Sequence, residues 1–174
     1  MSTKTGYQKY DLKKMVRVRG NHLPLSQKTS CEVMRYIRDR NVQKAIRLLE
    51  EVRDGTRPVP FLKFKKDVPH RKGQGLSVGR FPKKVSIHTI QLLTLLLANA
   101  KDKGLSEKAL TVVYSAVNPG PNLPHSGRIR GRLRKVCHIE IVGAEKKKVA
   151  KLSKSKDLRG HAEQSSARKT ETKK

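Results

Sequence analysis

The stretch from Leu110 to Val142, LTVVYSAVNPGPNLPHSGRIRGRLRKVCHIEIV, decides the fold. Its opening, Leu110 to Val117, is rich in β-branched side chains and predicts a strand. Its close, Val136 to Val142, predicts another, with Cys137, Ile139 and Ile141 on one face and His138 and Glu140 on the other. The connector between them, Asn118 to Lys135, holds no acidic residue, and its second half alternates Arg128, Arg130, Arg132 and Arg134 before Lys135. On an extended strand these arginines share one face, as a row of planar forks about 6.5 Å apart. That spacing is close to the separation of phosphates along a nucleic-acid strand. The other face offers Ile129, Gly131 and Leu133, too apolar to be left in water. A two-stranded ribbon needs walls, and the arginines make nucleic acid the wall. The alternative is a flexible basic loop.

Working outward, residues 83–103 hold Val85, Ile87, Ile90, Leu92, Leu93, Leu95, Leu96 and Leu97, a helix apolar around much of its circumference. Such a helix is expected to be the buried centrepiece, with Gly104 at its C-terminal cap. A helix over about 41–52 places Val42, Ala45, Ile46, Leu49 and Val52 on one stripe. Another, over about 26–39, starts at Ser26 as N-cap and puts Cys31, Met34 and Ile37 on a shared face. Before it, Met15, Val16 and Val18 mix with Arg17 and Arg19, and Pro24 limits that extended piece to a sheet edge. Ile46, Leu49, Ile90, Leu93, Leu97 and Ile139 are the expected core.

Between Arg53 and Pro82 the periodicity disappears. Pro58, Pro60, Pro69 and several glycines predict a long irregular loop, a kind of segment that is functional or disordered. It carries Lys63, Lys65, Lys66, His70, Arg71, Lys72 and Arg80, and Lys83 and Lys84 follow it. Phe61, Phe64 and Phe81 are interleaved. Aromatics among cations stack on unpaired bases; the alternative is that they pin the loop to the core. Residues 1–12 read as a basic arm, 13–143 as a single RNA-binding domain, and 144–174 as a basic tail disordered without a partner.

The charge follows the same logic. In 174 residues, 41 Lys and Arg face 14 Asp and Glu, for a formal charge of +27. A compact domain with that charge repels itself, so a polyanion is its natural counterpart. The excess is also distributed: ten basic residues against two acidic ones over 53–84, and eleven against four over 144–174. Contact with polyanion on several sides is the implication.

Other classes are disfavoured by what is missing. Gly73, Gly75 and Gly79 lack the spacing, the preceding strand and the Lys-Ser/Thr pair of a nucleotide loop. Cys137-His138 has no further cysteine near it, and the six histidines show no metal-ligand spacing. Carboxylates are too scattered for an acid–base pair, so neither catalysis nor a cofactor, metal or small-molecule substrate is expected. A duplex-DNA protein would offer a recognition helix with exposed Arg or Asn, whereas these helices are amphipathic with ordinary polar faces or too apolar. Cys31 and Cys137, with no secretory signal ahead of them, read as reduced thiols. Ile90 to Ala100 is too short to span a bilayer, so a soluble protein is expected.

Several stretches resemble a known family. Ala98-Asn99-Ala100-Lys101-Asp102-Lys103-Gly104-Leu105 is similar to the end of the long helix, and His138-Ile139-Glu140-Ile141-Val142 to the last strand, of the universal large-subunit ribosomal protein family twenty-two (seventeen in eukaryotic naming). Val59-Pro60-Phe61, His70-Arg71-Lys72-Gly73 and Gly79-Arg80-Phe81-Pro82 resemble an insert of its archaeal and eukaryotic branch, and Arg19-Gly20 and Ser26-Gln27-Lys28-Thr29 its entry into the first helix. The resemblance covers residues 15 to 145. It implies an α+β domain, with a small three-stranded antiparallel sheet packed with about three helices, a long protruding β-hairpin and basic termini. It also implies a structural role in the large subunit, supporting translation and assembly. The partners would be large-subunit rRNA and neighbouring ribosomal proteins, in the cytoplasm and, in a eukaryote, in the nucleolus during assembly. By position, Asn118 to Lys135 would be the hairpin whose tip helps line the nascent-peptide exit tunnel. Two departures stand out: Pro119-Gly120-Pro121-Asn122-Leu123-Pro124 replaces much of the family's basic run, and Leu62 stands where the family has Arg. Prolines cannot donate to a ladder, so interrupted pairing is expected there. The candidate RNA-binding set is Arg17, Arg19, Lys63, Lys65, Lys66, His70, Arg71, Lys72, Arg80, Lys83, Lys84, Arg128, Arg130, Arg132, Arg134 and Lys135.

Overall fold

A computed structural model describes Tyr7 and residues 10–73, 76–128 and 131–145. The architecture is α+β. Strand β1 (Met15–Leu23) leads into helices α1 (Gln27–Ile37) and α2 (Val42–Asp54). Two-residue strands β2 (Val59–Pro60) and β3 (Gly79–Arg80) follow, then helix α3 (Lys83–Asp102). Strand β4 (Leu110–Pro119), short strands β5 (Leu123–Pro124) and β6 (Leu133–Arg134), and strand β7 (Cys137–Glu145) complete the order.

The main sheet is antiparallel in the order β1-β7-β4, so the last strand in the chain lies at the centre. Pro24 follows the edge strand β1, as the sequence required. The inner face buries Val16 and Val18 of β1, Val112 of β4, and Cys137, Ile139 and Ile141 of β7 against the helices. Each fully buried aliphatic side chain contributes about 1.5–3 kcal/mol.

Local signals explain the helices. Asn41 caps α2 by accepting the Gln43 N–H at 3.0 Å, a cap worth about 1 kcal/mol. Gly55, at φ 85°, ends α2 in the left-handed conformation that glycine adopts without strain. Val42, Ala45, Leu49 and Val52 are buried as the periodicity predicts, while Ile46 packs half-buried at the margin with Ile90 and Leu97. Ser26 occupies the N-cap of α1 by backbone geometry, without a side-chain capping bond. The buried face of α1 is Ser30, Val33, Met34 and Ile37, and Cys31 falls at its edge.

Helix α3 differs from its expectation. It packs on α2 and β1 and buries Val85, Leu92, Leu93 and Leu96, yet Ile87 and Leu95 face solvent at 44% and 50% exposure. The reason is geometric. A three-stranded sheet and two short helices cover only one side of a cylinder, and Gln91, Thr94 and Ala98 complete the open stripe.

The outer face of the sheet is also covered in part. The Tyr7 ring lies 5.1 Å from Tyr114 of β4. Tyr10 sits under the Arg17 guanidinium of β1, and its hydroxyl donates to the Met15 carbonyl at 3.4 Å. Lys103 Nζ donates to the carbonyls of Leu12 and Met15 at 3.1 and 3.0 Å. On the outward side of β7, Val142 is fully buried and Glu140 nearly so. Among the described residues no helix is long and apolar enough to cross a membrane.

Candidate nucleic-acid interface

The basic loop is less irregular than its composition predicts. β2 and β3 close it as an antiparallel pair, Val59 opposite Arg80 and Pro60 opposite Gly79, and His70 bridges Val78 inside. Phe61 and Val68 are buried in the core, so the pinning role holds for Phe61. Phe64 and Phe81 are half-buried and meet cations instead. Phe64 lies under Lys63 at 5.5 Å and Lys28 at 6.0 Å, and Phe81 under Arg71 at 5.3 Å.

The main fastening is an acid that the sequence did not single out. Glu32, on the buried side of α1 and 1% exposed, accepts the backbone N–H groups of Leu62 (3.2 Å), Lys63 (2.8 Å) and Phe64 (2.7 Å). Three amides converging on one carboxylate fix the turn that carries Lys63, and bonds to a charged acceptor are the strong kind. With the backbone held from within, the cations point out. Lys65, Lys66, His70, Arg71, Lys72 and Arg80 are all exposed. Arg80 is oriented by donating to the Asp67 carbonyl at 2.9 Å.

Lys83 and Lys84 are exposed in the first turn of α3, which has no acidic residue and no side-chain cap. Cations at the positive end of a helix dipole are unfavourable by about 0.3–1 kcal/mol each, a cost that an anion relieves. On β1, Arg17 and Arg19 lie on the outward face, Arg19 exposed and in register with Glu140.

The connector is the opposite of the loop. β4 runs on to Pro119, the Gly120 N–H donates to the Val136 carbonyl at 3.0 Å, and His125 N–H donates to the Arg132 carbonyl at 2.9 Å. Beyond that, strand pairing among the described residues is confined to Leu123 opposite Arg134 and Pro124 opposite Leu133. Every described residue from 121 to 135 is exposed, including Leu123 at 45% and Leu133 at 54%. Continuous alternation of arginines along a strand is therefore corrected: among the described residues of 127–135 only Leu133–Arg134 is strand, because the proline-rich limb supplies few donors for a ladder. Arg128, Arg132, Arg134 and Lys135 stand exposed, and Arg134 donates to the Ser126 hydroxyl at 3.4 Å. Arg130 and Ile129, like the tail beyond Glu145, lie outside the described residues.

The sixteen candidates thus do not form one cluster. They occupy the loop, the start of α3, the edge strand and the connector. The ion pairs Arg53–Asp54 and Arg57–Glu51 lie elsewhere and involve none of these candidates. Arg35 and Arg38 on α1 were missed, because the α1 reading followed only its apolar face. Arg38 donates to the Ser115 carbonyl at 2.8 Å on the free edge of β4. Cys31 and Cys137 are free thiols, and burial pushes both above the ordinary thiol range.

A small α+β domain with exposed cations on several faces and a solvent-exposed basic connector has the features of a structural scaffold protein rather than an enzyme. The comparisons then fix the family. The model of the family described as ribosomal protein L22p/L17e matches residues 18–144, and the chain belongs to that family of structural, non-enzymatic ribosomal proteins. It is 32% identical over 142 residues to large ribosomal subunit protein uL22 of Archaeoglobus fulgidus, covering 78% of this chain and 92% of that protein. It is 33% identical over 144 residues to the uL22 of Cenarchaeum symbiosum, covering 80% and 95%. A further uL22, from Methanothrix thermoacetophila, is 33% identical over 138 residues, covering 76% and 91%.

Proposed function

We propose that this ribosomal protein acts in the large subunit as a multivalent clamp on rRNA, its loop and connector gripping separate RNA segments. One observation carries the reading. The connector keeps Leu123, Leu133, Arg128, Arg132 and Arg134 in solvent on two rungs of pairing, an arrangement stable only when something covers it. Polyanion fits the arginines, and the leucines fit the apolar faces of sugars and bases. In this reading Arg128, Arg130, Arg132, Arg134 and Lys135 make the deepest contacts. The cations of 63–84 and Arg17 and Arg19 bind at the periphery, and the basic segment 144–174 adds a further strand of contact. The tip of the connector approaches the path of the nascent peptide, and the protein works on cytoplasmic ribosomes.

The binding is mainly electrostatic and falls steeply with salt. The test is a sucrose gradient of native lysate after a moderate salt wash, probed for this chain. Co-migration with free large subunits and whole ribosomes is expected. Absence from both, with the protein free or on chromatin, contradicts the proposal.

A further inference from the structure

A cavity of about 300 Å³ lies between α1 and the free edge of β4, and of the described candidates only Lys63 lines it. Its walls are Arg35 of α1 and Arg38 at the C-cap of that helix, Lys63 of the loop, Cys31, and Ser115 and Val117 of β4. Cys31, Arg35 and Arg38 are spaced i, i+4, i+7, one stripe of a helix beside its buried face. The stripe looks onto β4 where that strand's edge is uncovered. At Val112 the edge is closed, because its carbonyl accepts the Asp39 N–H and its N–H donates to the Arg40 carbonyl, both at 2.9 Å. At Ser115 the carbonyl accepts from Arg38. Alternation along an antiparallel strand turns the N–H and C=O of Val117 the same way, into the cavity.

Three cations here face a single carboxylate, Glu32, and none of the three forms an ion pair among the described residues. The ion pairs Arg53–Asp54 and Arg57–Glu51 are on α2 and the turn after it. Glu32 reaches the cavity wall with its carboxylate turned to the amides of 62–64, which leaves a net charge of two positive among the four groups.

We infer that this cavity receives one unpaired ribonucleotide, its phosphate held by Arg35 and Lys63 and its base edge bonded to the open backbone of β4 at Val117. A guanidinium and an ammonium suit a phosphate. Strand-edge N–H and C=O groups suit the mixed donors and acceptors of a base, as in strand addition. A duplex is excluded by size, being about 20 Å wide with its base edges occupied by pairing. The inference rests on the RNA-binding reading above and names where a single-stranded segment threads.

Cys31 reports occupancy, because it lines the cavity while the other thiol, Cys137, is fully buried. The full chain is treated with N-ethylmaleimide alone, with a single-stranded oligouridine, and with an RNA duplex. At ~10 times its Kd the oligouridine is expected to slow Cys31 alkylation about tenfold, and the duplex to leave it within about twofold. In R35A/K63A, which leaves the Arg38 bond to Ser115 intact, protection by oligouridine is lost although the remaining cations still bind it. A thermal melt matching the wild type shows that the variant is folded; R35K/K63R, which keeps the charge, restores protection. Cys31 reacting equally fast with and without bound oligouridine overturns the inference and leaves the clamp standing. Failure of the chain to bind either RNA by filter retention overturns the clamp itself.

Discussion

The basic loop and the connector look alike in sequence and behave differently in structure. Both are rich in cations and proline, and both close with a two-rung antiparallel pair. The loop is nevertheless fastened to the protein by Phe61, Val68 and the three amides on Glu32. In the connector every described residue from 121 to 135 faces solvent. Charge alone therefore does not decide whether a segment is ordered. What decides it is whether the chain supplies buried acceptors and apolar anchors. In the proposed function the loop arrives at its partner pre-shaped, and the connector leaves its ordering entropy to be recovered on binding.

The comparison breaks most readily at Glu32. E32A leaves three amides without their charged acceptor and is expected to destabilise the domain by about 3 kcal/mol. Urea unfolding measures it, and trypsin should reach Lys63, Lys65 and Lys66 well before global unfolding. The effect on the connector should be nil; a wild-type urea midpoint would show that the loop is held by something else.

The reverse experiment acts on the connector. R132A/R134A is expected to lower rRNA affinity by about 2 kcal/mol, roughly 30-fold, with a shallower dependence on salt and an unchanged melting temperature. Binding titrations at several salt concentrations measure both quantities. Loss of stability instead of affinity would mean that the connector is part of the fold.

A smaller effect is expected where the connector leaves the sheet. A Cβ on Gly120 would stand 2.6 Å from Val136 Cγ1 and 3.0 Å from the Val136 carbonyl carbon. G120A should therefore cost about 1–2 kcal/mol by crowding, measured by thermal unfolding. Smallest of all, L123A/L133A removes two exposed leucines and should shift the stability of the free protein by no more than about 0.5 kcal/mol. The same pair should reduce retention on salt-washed subunits. If it destabilises the free protein strongly, the leucines are packed and the contrast fails.

How much was legible in the sequence follows the same line. The helices and long strands were read from periodicity, because Val42, Ala45, Leu49 and Val52, or Cys137, Ile139 and Ile141, bury the faces their spacing predicts. The exposed side of α3 was not, since Ile87 and Leu95 meet solvent only because the neighbouring elements are short. Glu32 was invisible as a functional residue: its partners are amides thirty positions away that side-chain patterns do not encode. Tyr7 and Tyr10 were likewise read as part of an arm, although each packs a ring against the sheet region. The cations themselves were legible one by one, whereas their grouping around Arg35 and Arg38 required the approach of α1 to the edge of β4.

The central claim is that protein orders the loop and RNA orders the connector. Amide hydrogen exchange on the full chain, free and bound to large-subunit rRNA, tests it most directly. The account predicts protected amides at Leu62, Lys63 and Phe64 in the free protein. It predicts unprotected amides over most of 121–135 that become protected only when RNA is bound. Equal protection of both segments in the free protein, or a connector still unprotected in the bound state, would contradict it.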